Sequence, residues 1–551
     1  MMAACPFGVL MVGSYPGGQR ANVGVPRKPH GCPGGKRVRV ESTPRAIAPE
    51  DAVQPDPPHY PLFVVITHAL NILFLLMLGR SGLGVLSSFP KLYWNDGCPP
   101  GREWARFSRR AYGADSRRPW TSLDEEESWN PVVTMPGGKN LGLSRHWHFM
   151  TLHFWIATGL VYLALVFISG YWIYLVPTSW SLVPDAIETI GTYLHFELPE
   201  PLPGQPFNAT QKLAYFSVVF LLAPLQIATG AAMSPSVIAR FPWYAKIFGG
   251  KQGARSIHFL GICAFVGFVL VHTLMVVLHG LPKGLAKIIL GSEQASHTLA
   301  VAIGSAVLFA IVVIHVLLTM FARLRPRTTQ HLLGYVVAPF EGGLSRIFTS
   351  HQRYRRSDVS GYHRVNGYPP VDPGYEQMAA DGFRDYRLPV GGLVENPVSL
   401  SLPRLRELGW ATQITNHNCI QGWNSIAEWA GVPLGALLDL VKPRPEVTHV
   451  VFYAMDDKGL TEGEGRYGYY YEALPIFLAR RTQSLLALEM NGGPLPIEHG
   501  APLRVRVETQ LGYKMVKWIK VVEFVDGVSA IGLGQGGYRE DQLYYANAAA
   551  I

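Results

Sequence analysis

The feature that most constrains this chain is where its apolar residues fall: the five longest apolar runs, near 61–86, 149–175, 212–233, 257–280 and 298–321, all lie before residue 325. Each is long enough to cross about 30 Å of hydrocarbon as a helix. A wholly soluble protein is thereby excluded, and the mean hydropathy of +0.14 averages a membrane half with a water-soluble one. The formal charge of +9 would suit nucleic acid, but the basic residues lie mainly in loops flanking the apolar runs. Membrane orientation accounts for them there, and no nucleic-acid partner is expected. The five cysteines, at 5, 32, 98, 263 and 419, form no CxxC pair, haem-attachment motif or zinc spacing. A disulfide scaffold is not expected.

Residues 1–58 are rich in Pro, Gly and Arg and lack the apolar centre and cleavage site of a signal peptide, so they read as a disordered tail. Residues 59–325 read as an all-α bundle of five transmembrane helices, in a membrane expected to be a bacterial inner membrane. The connection at 80–147 carries mixed charge, with Arg109, Arg110, Arg117 and Arg118 before Asp124, Glu125, Glu126 and Glu127, and reads as an exposed folded loop. After Arg323, Arg325 and Arg327 the pattern changes. Residues 326–370 read as a linker, and 371–546 as a mostly β, α+β domain. Its expected strands include His449–Ala454, Leu503–Val507 and Trp518–Phe524, and its expected short helices are Ser425–Ala430 and Leu434–Leu440.

Histidine is uncommon in membrane spans and points to function by default. The spans and their edges carry His68, His146, His148, His153, His258, His272, His279 and His315. His258 and His272 are fourteen residues apart, about 40° short of four full turns, so they share a helix face about 21 Å apart. Two imidazoles so placed suit two stacked haems, each needing a second histidine from another helix. The alternation of the spans pairs His148 with His258 and His68 with His272. His153 faces elsewhere, His279 is too close to His272 for another haem, and His315 lies on the last span, so packing or proton-relay roles are expected of these three.

With His68-Ala-Leu-Asn71, Arg145-His-Trp-His148, Asn208-Ala-Thr-Gln-Lys212 and the His258/His272 spacing, residues 61–290 resemble the di-haem cytochrome b subunits of formate dehydrogenases, nickel–iron hydrogenases and thiosulfate-reductase-like complexes. The resemblance implies that the four histidines ligate two b haems that exchange electrons with quinone or quinol. A fifth span and the long first loop depart from that pattern.

Cys419 sits in Thr415-Asn-His-Asn-Cys-Ile-Gln-Gly-Trp423. A lone cysteine serves readily as a small buried apolar residue, and a thiolate there would be a soft metal ligand. His499, Arg504, Lys514 and Lys517 lie in glycine-punctuated segments that suit an anionic, phosphate-bearing cofactor. A solvated basic strand is the other reading. Together these segments resemble the molybdopterin-binding domain of the sulfite-oxidase superfamily, including its protein-methionine-sulfoxide reductase branch. The resemblance implies molybdenum on Cys419 and a pterin held by Asn366, His499, Arg504 and Lys517, with Lys514 as an addition. Sulfite oxidases carry arginines where this chain has Ile420-Gln-Gly-Trp423 and Val365, so sulfite is disfavoured. Trp423 and Tyr513, with Tyr467, Tyr469, Tyr470 and Tyr471, are candidates for the pocket wall.

The expected function is therefore oxygen-atom transfer at a molybdenum–Cys419 centre, with a small or peptidic donor or acceptor and S-oxide or N-oxide reduction favoured. A non-catalytic haem carrier with a docking domain is the alternative. A homodimer is left open. Lys and Arg number ten in 80–147, four in 234–257 and three in 322–330, against none in 176–210 and two in 281–297, which favours a cytoplasmic C-terminal domain; analogy with four-span relatives gives a periplasmic domain as the alternative.

Overall fold

The computed structural model describes residues 59–109, 121–347, 352, 354–457 and 469–542. The expected tail at 1–58 and Tyr467 lie outside them. Five helices are long and apolar enough to cross a membrane: α1 (Leu62–Ser87), α2 (Leu141–Ile168), α3 (Ala209–Met233), α4 (Gly250–Leu278) and α5 (His297–Leu324). The motif at Asn208 is a start signal for α3. The Asn208 side chain accepts from Gln211 N at 2.9 Å and Gln211 Oε1 accepts from Asn208 N at 3.1 Å, so two orphan donors of the first turn are satisfied reciprocally. Within α3, Ser217–Leu222 widens to a π-helix.

Five crossings put the connections at 88–140 and 234–249 on the same side as the C-terminal domain. The segment expected to be a linker opens with a helix, α6 (Pro326–Ile347), directly after α5. Arg327 near its start donates to the carbonyls of Glu540 and Asp541 at 3.0 and 3.1 Å, tying α6 to the far end of the chain.

Among the described residues the C-terminal domain is built on ten strands: β1 (Arg387–Gly392), β2 (Val398–Ser401), β3 (Ala411–Asn418), β4 (Asn424–Pro433), β5 (His449–Asp457), β6 (Tyr469–Pro475), β7 (Ser484–Met490), β8 (Gly493–Pro494), β9 (Arg504–Val507) and β10 (Ile519–Val525). One sheet has the order β8-β7-β4-β3 with β9 also paired to β7, and the other β2-β1-β10-β5-β6. All pairs are antiparallel except β10 with β1. The sheets face each other across one core, in which Val432, Leu486 and Val505 of the first meet Val390, Val450, Phe452 and Val522 of the second.

One expectation is corrected here. Ser425–Ala430 is strand, not helix: it lies inside β4, paired along one edge to β3 and along the other to β7. Its Ala and Glu favour helix weakly, and a strand buried on both faces shows no alternation to betray it. Leu434–Val441 is helical as expected.

The first loop is folded but is not the exposed element expected of it. Its Glu125 is wholly buried and takes Lys91 Nζ at 2.9 Å and Arg364 Nη1 at 2.9 Å on both oxygens. Arg364 comes from the segment before the β domain, and it also donates to the Cys98 carbonyl and the Tyr93 hydroxyl, each at 2.9 Å. Phe89 lies between two guanidinium groups, Arg364 at 4.8 Å and Arg255 of α4 at 5.1 Å from its ring centre. The loop is thus the mortar between membrane bundle and β domain. Glu125→Ala leaves two buried cations facing each other and is expected to cost about 3–5 kcal/mol. Thermal unfolding in detergent measures it, and an unchanged midpoint would contradict this account of the interface.

Candidate functional site

Cys419 sits in the turn that joins β3 to β4, closed by Cys419 N donating to Trp423 O at 3.1 Å and Gly422 N to Cys419 O at 3.1 Å. The thiol is buried, and that burial pushes it up to about 12. It therefore stays protonated until a metal takes the proton's place. Asn366 Nδ2 lies 3.4 Å from Cys419 Sγ, so the stretch around Asn366 borders the sulfur.

A cleft with about 80 Å³ of cavity volume opens beside this turn, partly open to solvent. Asn366, His499, Arg504 and Lys517 all line it, with Trp423, Tyr470 and Tyr513 among its aromatic walls. Lys517 donates to the backbone carbonyls of Asn366 and, at 2.9 Å, Glu498. Lys514 is not among the lining residues. Its ammonium is buried between Glu472 and Glu540, which removes it from the expected pterin anchors: lysines three residues apart in a tight turn point in different directions.

Several lining residues escaped the sequence reading. His363, Arg364, His417 and Arg539 all reach the cleft. Two signals were available: His417 is two residues before Cys419, and Arg506 repeats Arg504 at the period that keeps strand side chains on one face. The rings of His363 and His417 are 5.4 Å apart, and those of His363 and His499 5.1 Å. Arg506 Nη1 lies 2.8 Å from His417 Nδ1. The Arg504 guanidinium is buried, stacked 4.7 Å over Trp429, with its Nε unpartnered.

Electrostatics makes this an anion site. Arg504, Arg506 and Lys517 converge, while burial and those cations push His363, His417 and His499 down, His499 to about 3. Such an arrangement is expensive unless an anion joins it. A pterin phosphate fits the donor set and the unpartnered Arg504 Nε.

In the membrane, the rings of His68 and His272 are 6.3 Å apart between centres. Two imidazoles with one iron between them, each nitrogen at about 2 Å from the metal, require such a spacing. His148 and His258 lie within electrostatic reach of each other, and their tautomers follow from their partners. Ser81 Oγ donates to Met77 O at 2.7 Å, so at 3.2 Å it accepts from His148 Nδ1; Thr229 Oγ1 donates to Leu225 O at 2.7 Å, so at 3.0 Å it accepts from His258 Nδ1. Both Nε2 atoms therefore carry a free lone pair, as metal ligation demands. His153 and His279 instead bond carbonyls of their own helices, and His315 Nδ1 meets Arg80 Nη1 at 3.0 Å. Among the described residues, no group of three or more His, Cys, Asp or Glu could hold a metal ion.

The first turns of α4 dock on the Cys419 turn. Lys251 Nζ donates to Asn418 Oδ1 at 3.2 Å, and Gln252 Nε2 to Gly422 O and Asn424 Oδ1, both at 3.0 Å. His258 follows Gln252 by six residues, a rise of about 9 Å.

Residues 59–291 match the family described as Prokaryotic cytochrome b561, and residues 376–530 match the Oxidoreductase molybdopterin binding domain. The chain is a membrane cytochrome b561 domain joined to a molybdopterin-binding oxidoreductase domain. Among curated proteins, YedZ1 of Azospira oryzae, named as a protein-methionine-sulfoxide reductase subunit, is 33% identical over 191 residues, 35% of this chain and 64% of that protein. The protein-methionine-sulfoxide reductase catalytic subunit MsrP of Xanthomonas axonopodis pv. citri is 32% identical over 198 residues, 35% of this chain and 61% of that protein. The chain thus spans about three-fifths of the curated relatives it matches. The sulfane dehydrogenase SoxCD of Paracoccus pantotrophus matches at 24% identity over 28% of this chain and 40% of that one, with a TM-score of 0.24. The fusion accounts for the two chemistries on one polypeptide.

The histidine cluster gives a signed pH dependence. Its folded values lie below the ordinary 6.5, so as pH falls below 6.5 the unfolded chain binds protons that the folded one refuses. Cofactor-free protein is therefore expected to lose stability progressively from about pH 6.5 downward, and a bound phosphate-bearing pterin to flatten that loss. Melting curves of both forms between neutral pH and about pH 5 measure it; parallel curves would refute the anion site.

Proposed function

We propose that this protein is a membrane-bound molybdenum oxidoreductase that reduces S-oxides, drawing electrons from a quinol through two b haems. The observation that carries the reading is the shared helix: α4 bears His258 and His272 and, about two turns before His258, the residues that grip the Cys419 turn. In this reading one covalent segment supports both haem ligation and the molybdenum cysteine, so electrons need no partner protein to cross from one to the other. The relatives named for methionine-sulfoxide reduction support S-oxides as the substrate class.

His68, His272, His148 and His258 would hold the haems; Cys419 would hold molybdenum, with Asn366, His499, Arg504 and Lys517 around the pterin. When bound, the haems supply one-electron steps and the molybdenum two-electron oxygen-atom exchange. The chain's own residues do the rest. Asn366 donates toward the cysteine sulfur. In the thiol form Gln421 Oε1 accepts from that sulfur at 3.6 Å, while its amide nitrogen holds Glu126 Oε1 at 2.7 Å. Trp423, Tyr513, Leu123 and Trp518 give the cleft an apolar, aromatic character suited to a thioether or its oxide. An anion such as sulfite finds no spare guanidinium at Arg364, which is committed to Glu125, Tyr93 and the Cys98 carbonyl.

The charge bias of the connections supports a cytoplasmic β domain, tested by a C-terminal reporter fusion; activity of a periplasmic-only reporter would overturn that placement. Cys419→Ser is expected to abolish S-oxide turnover while leaving the haem spectrum unchanged, and retained turnover would sink the reading. His258→Ala is expected to stop quinol-driven reduction while a small dye reductant, bypassing the haems, still drives the molybdenum domain. Equal loss with both donors would argue against the proposed electron route.

A further inference from the structure

The aromatic wall of the cleft is backed by a buried set of acids that the oxygen-atom chemistry does not by itself require. Lys514 Nζ lies 2.9 Å from Glu472 Oε2, 3.0 Å from Gly536 O and against Glu540 Oε1. Glu472 and Glu540 are 0% and 1% exposed. Tyr513 and Tyr470 line the cleft; Tyr513 donates its hydroxyl to Glu540 Oε1 at 3.2 Å, and the Tyr470 hydroxyl meets Glu472 Oε1 at 3.1 Å and Tyr513 O at 2.8 Å.

Two buried carboxyls share one ammonium, and one oxygen, Glu540 Oε2, has no donor among the described residues. That oxygen is aimed at Glu472. A Cβ on Gly537 would sit 1.9 Å from Glu472 Oε2 and 2.5 Å from Glu540 Oε2, so the missing side chain at 537 is what lets the two carboxyls close on each other. Two carboxylates cannot approach this way in a dry interior unless a proton sits between them. One proton satisfies Glu540 Oε2 and balances the charge of the trio.

The proposed reaction consumes protons: a sulfoxide takes two electrons and two protons, the S–O bond breaks, sulfur is left as a thioether and the oxygen departs as water. The electrons come from a quinol, which becomes quinone. We propose that Glu472 and Glu540 share a stored proton and deliver it through the Tyr513 hydroxyl in the cleft wall to the departing oxygen. This rests on the S-oxide reading. Tyr513 hands over its hydroxyl proton and recovers one from Glu540, the second proton comes from water at the open mouth of the cleft, and Lys514 keeps the remaining charge neutralised.

The groups facing the pair are Tyr470 and Tyr471 of β6, Tyr513 and Lys514 of the 512–514 turn, Arg539 and Asp541 of the terminal turn, and His449 of β5, which feels Lys514. Burial and the facing carboxyl hold Glu472 well above the usual carboxylate range.

The test uses the full-length protein carrying haem and molybdenum, with Glu472→Gln, Glu540→Gln and Tyr513→Phe. The native protein is expected to show an infrared band of a buried protonated carboxyl at neutral pH, absent in both glutamine variants. With quinol as donor, Tyr513→Phe and Glu540→Gln are expected to lower kcat by roughly tenfold or more at unchanged KM. The loss of kcat with rising pH is expected to flatten in Glu540→Gln, and Tyr513→Phe to raise the solvent deuterium effect on kcat. Absence of the band, or native kcat and pH profile in Glu540→Gln and Tyr513→Phe, overturns the proposal. A native protein that reduces no S-oxide fails the substrate reading instead, and the infrared band then judges the proton-sharing pair alone.

Discussion

Everything in this structure hangs on the junction between the first turns of α4 and the Cys419 turn. Lys251 and Gln252 are buried and bond the side chains and backbone of residues 418–424. A hydrogen-bonding side chain buried at an interface is expensive to leave unpaired, so the two domains are held at one angle and one distance. The first loop reinforces that fix by burying Glu125 between Lys91 and Arg364 and by placing Gln421 against Glu126. An element that would otherwise be a membrane connection thereby becomes part of the wall around the cysteine.

The same logic governs the charges. Of the basic residues that bias the loops, Lys251 bonds Asn418 across the junction, Arg327 ties α6 to Glu540, and Lys91 and Arg255 hold the first loop together and against α4. Part of the positive excess on that side therefore serves packing and docking. In the β domain, Arg504, Arg506 and Lys517 crowd three neutral histidines, and at its far edge two carboxyls crowd one lysine. Each cluster carries charge that its own residues do not balance: an anion would balance the first and a proton the second. A fold stabilised only by packing would not retain either, since buried ion clusters seldom stabilise more than apolar replacements do.

Much of this was legible in the amino-acid order. The five spans follow from apolar length alone, because a helix is the sole local way to satisfy backbone groups in hydrocarbon. His258 and His272 share a face because fourteen residues nearly complete four turns. Cys419 stands out through its neighbours. Other features were not legible. Ser425–Ala430 reads as helix and is strand, since partners sixty residues apart in sequence decide a central strand. Lys514 reads as a pterin anchor and turns instead to Glu472 and Glu540, because residue type alone does not give the direction a side chain takes from a tight turn.

The sequence by itself therefore determined what is local or periodic: the spans, the histidine faces, the cysteine turn and the identity of the two domains. Only tertiary structure decided what depends on long-range approach: that the described stretches 88–109 and 121–140 contribute to the interface, that His363 and His417 join His499, and that Gly537 lets two acids meet. The physical reason is that helix length and hydropathy act within a few residues, whereas buried charges are balanced by whatever the folded chain brings within a few ångströms.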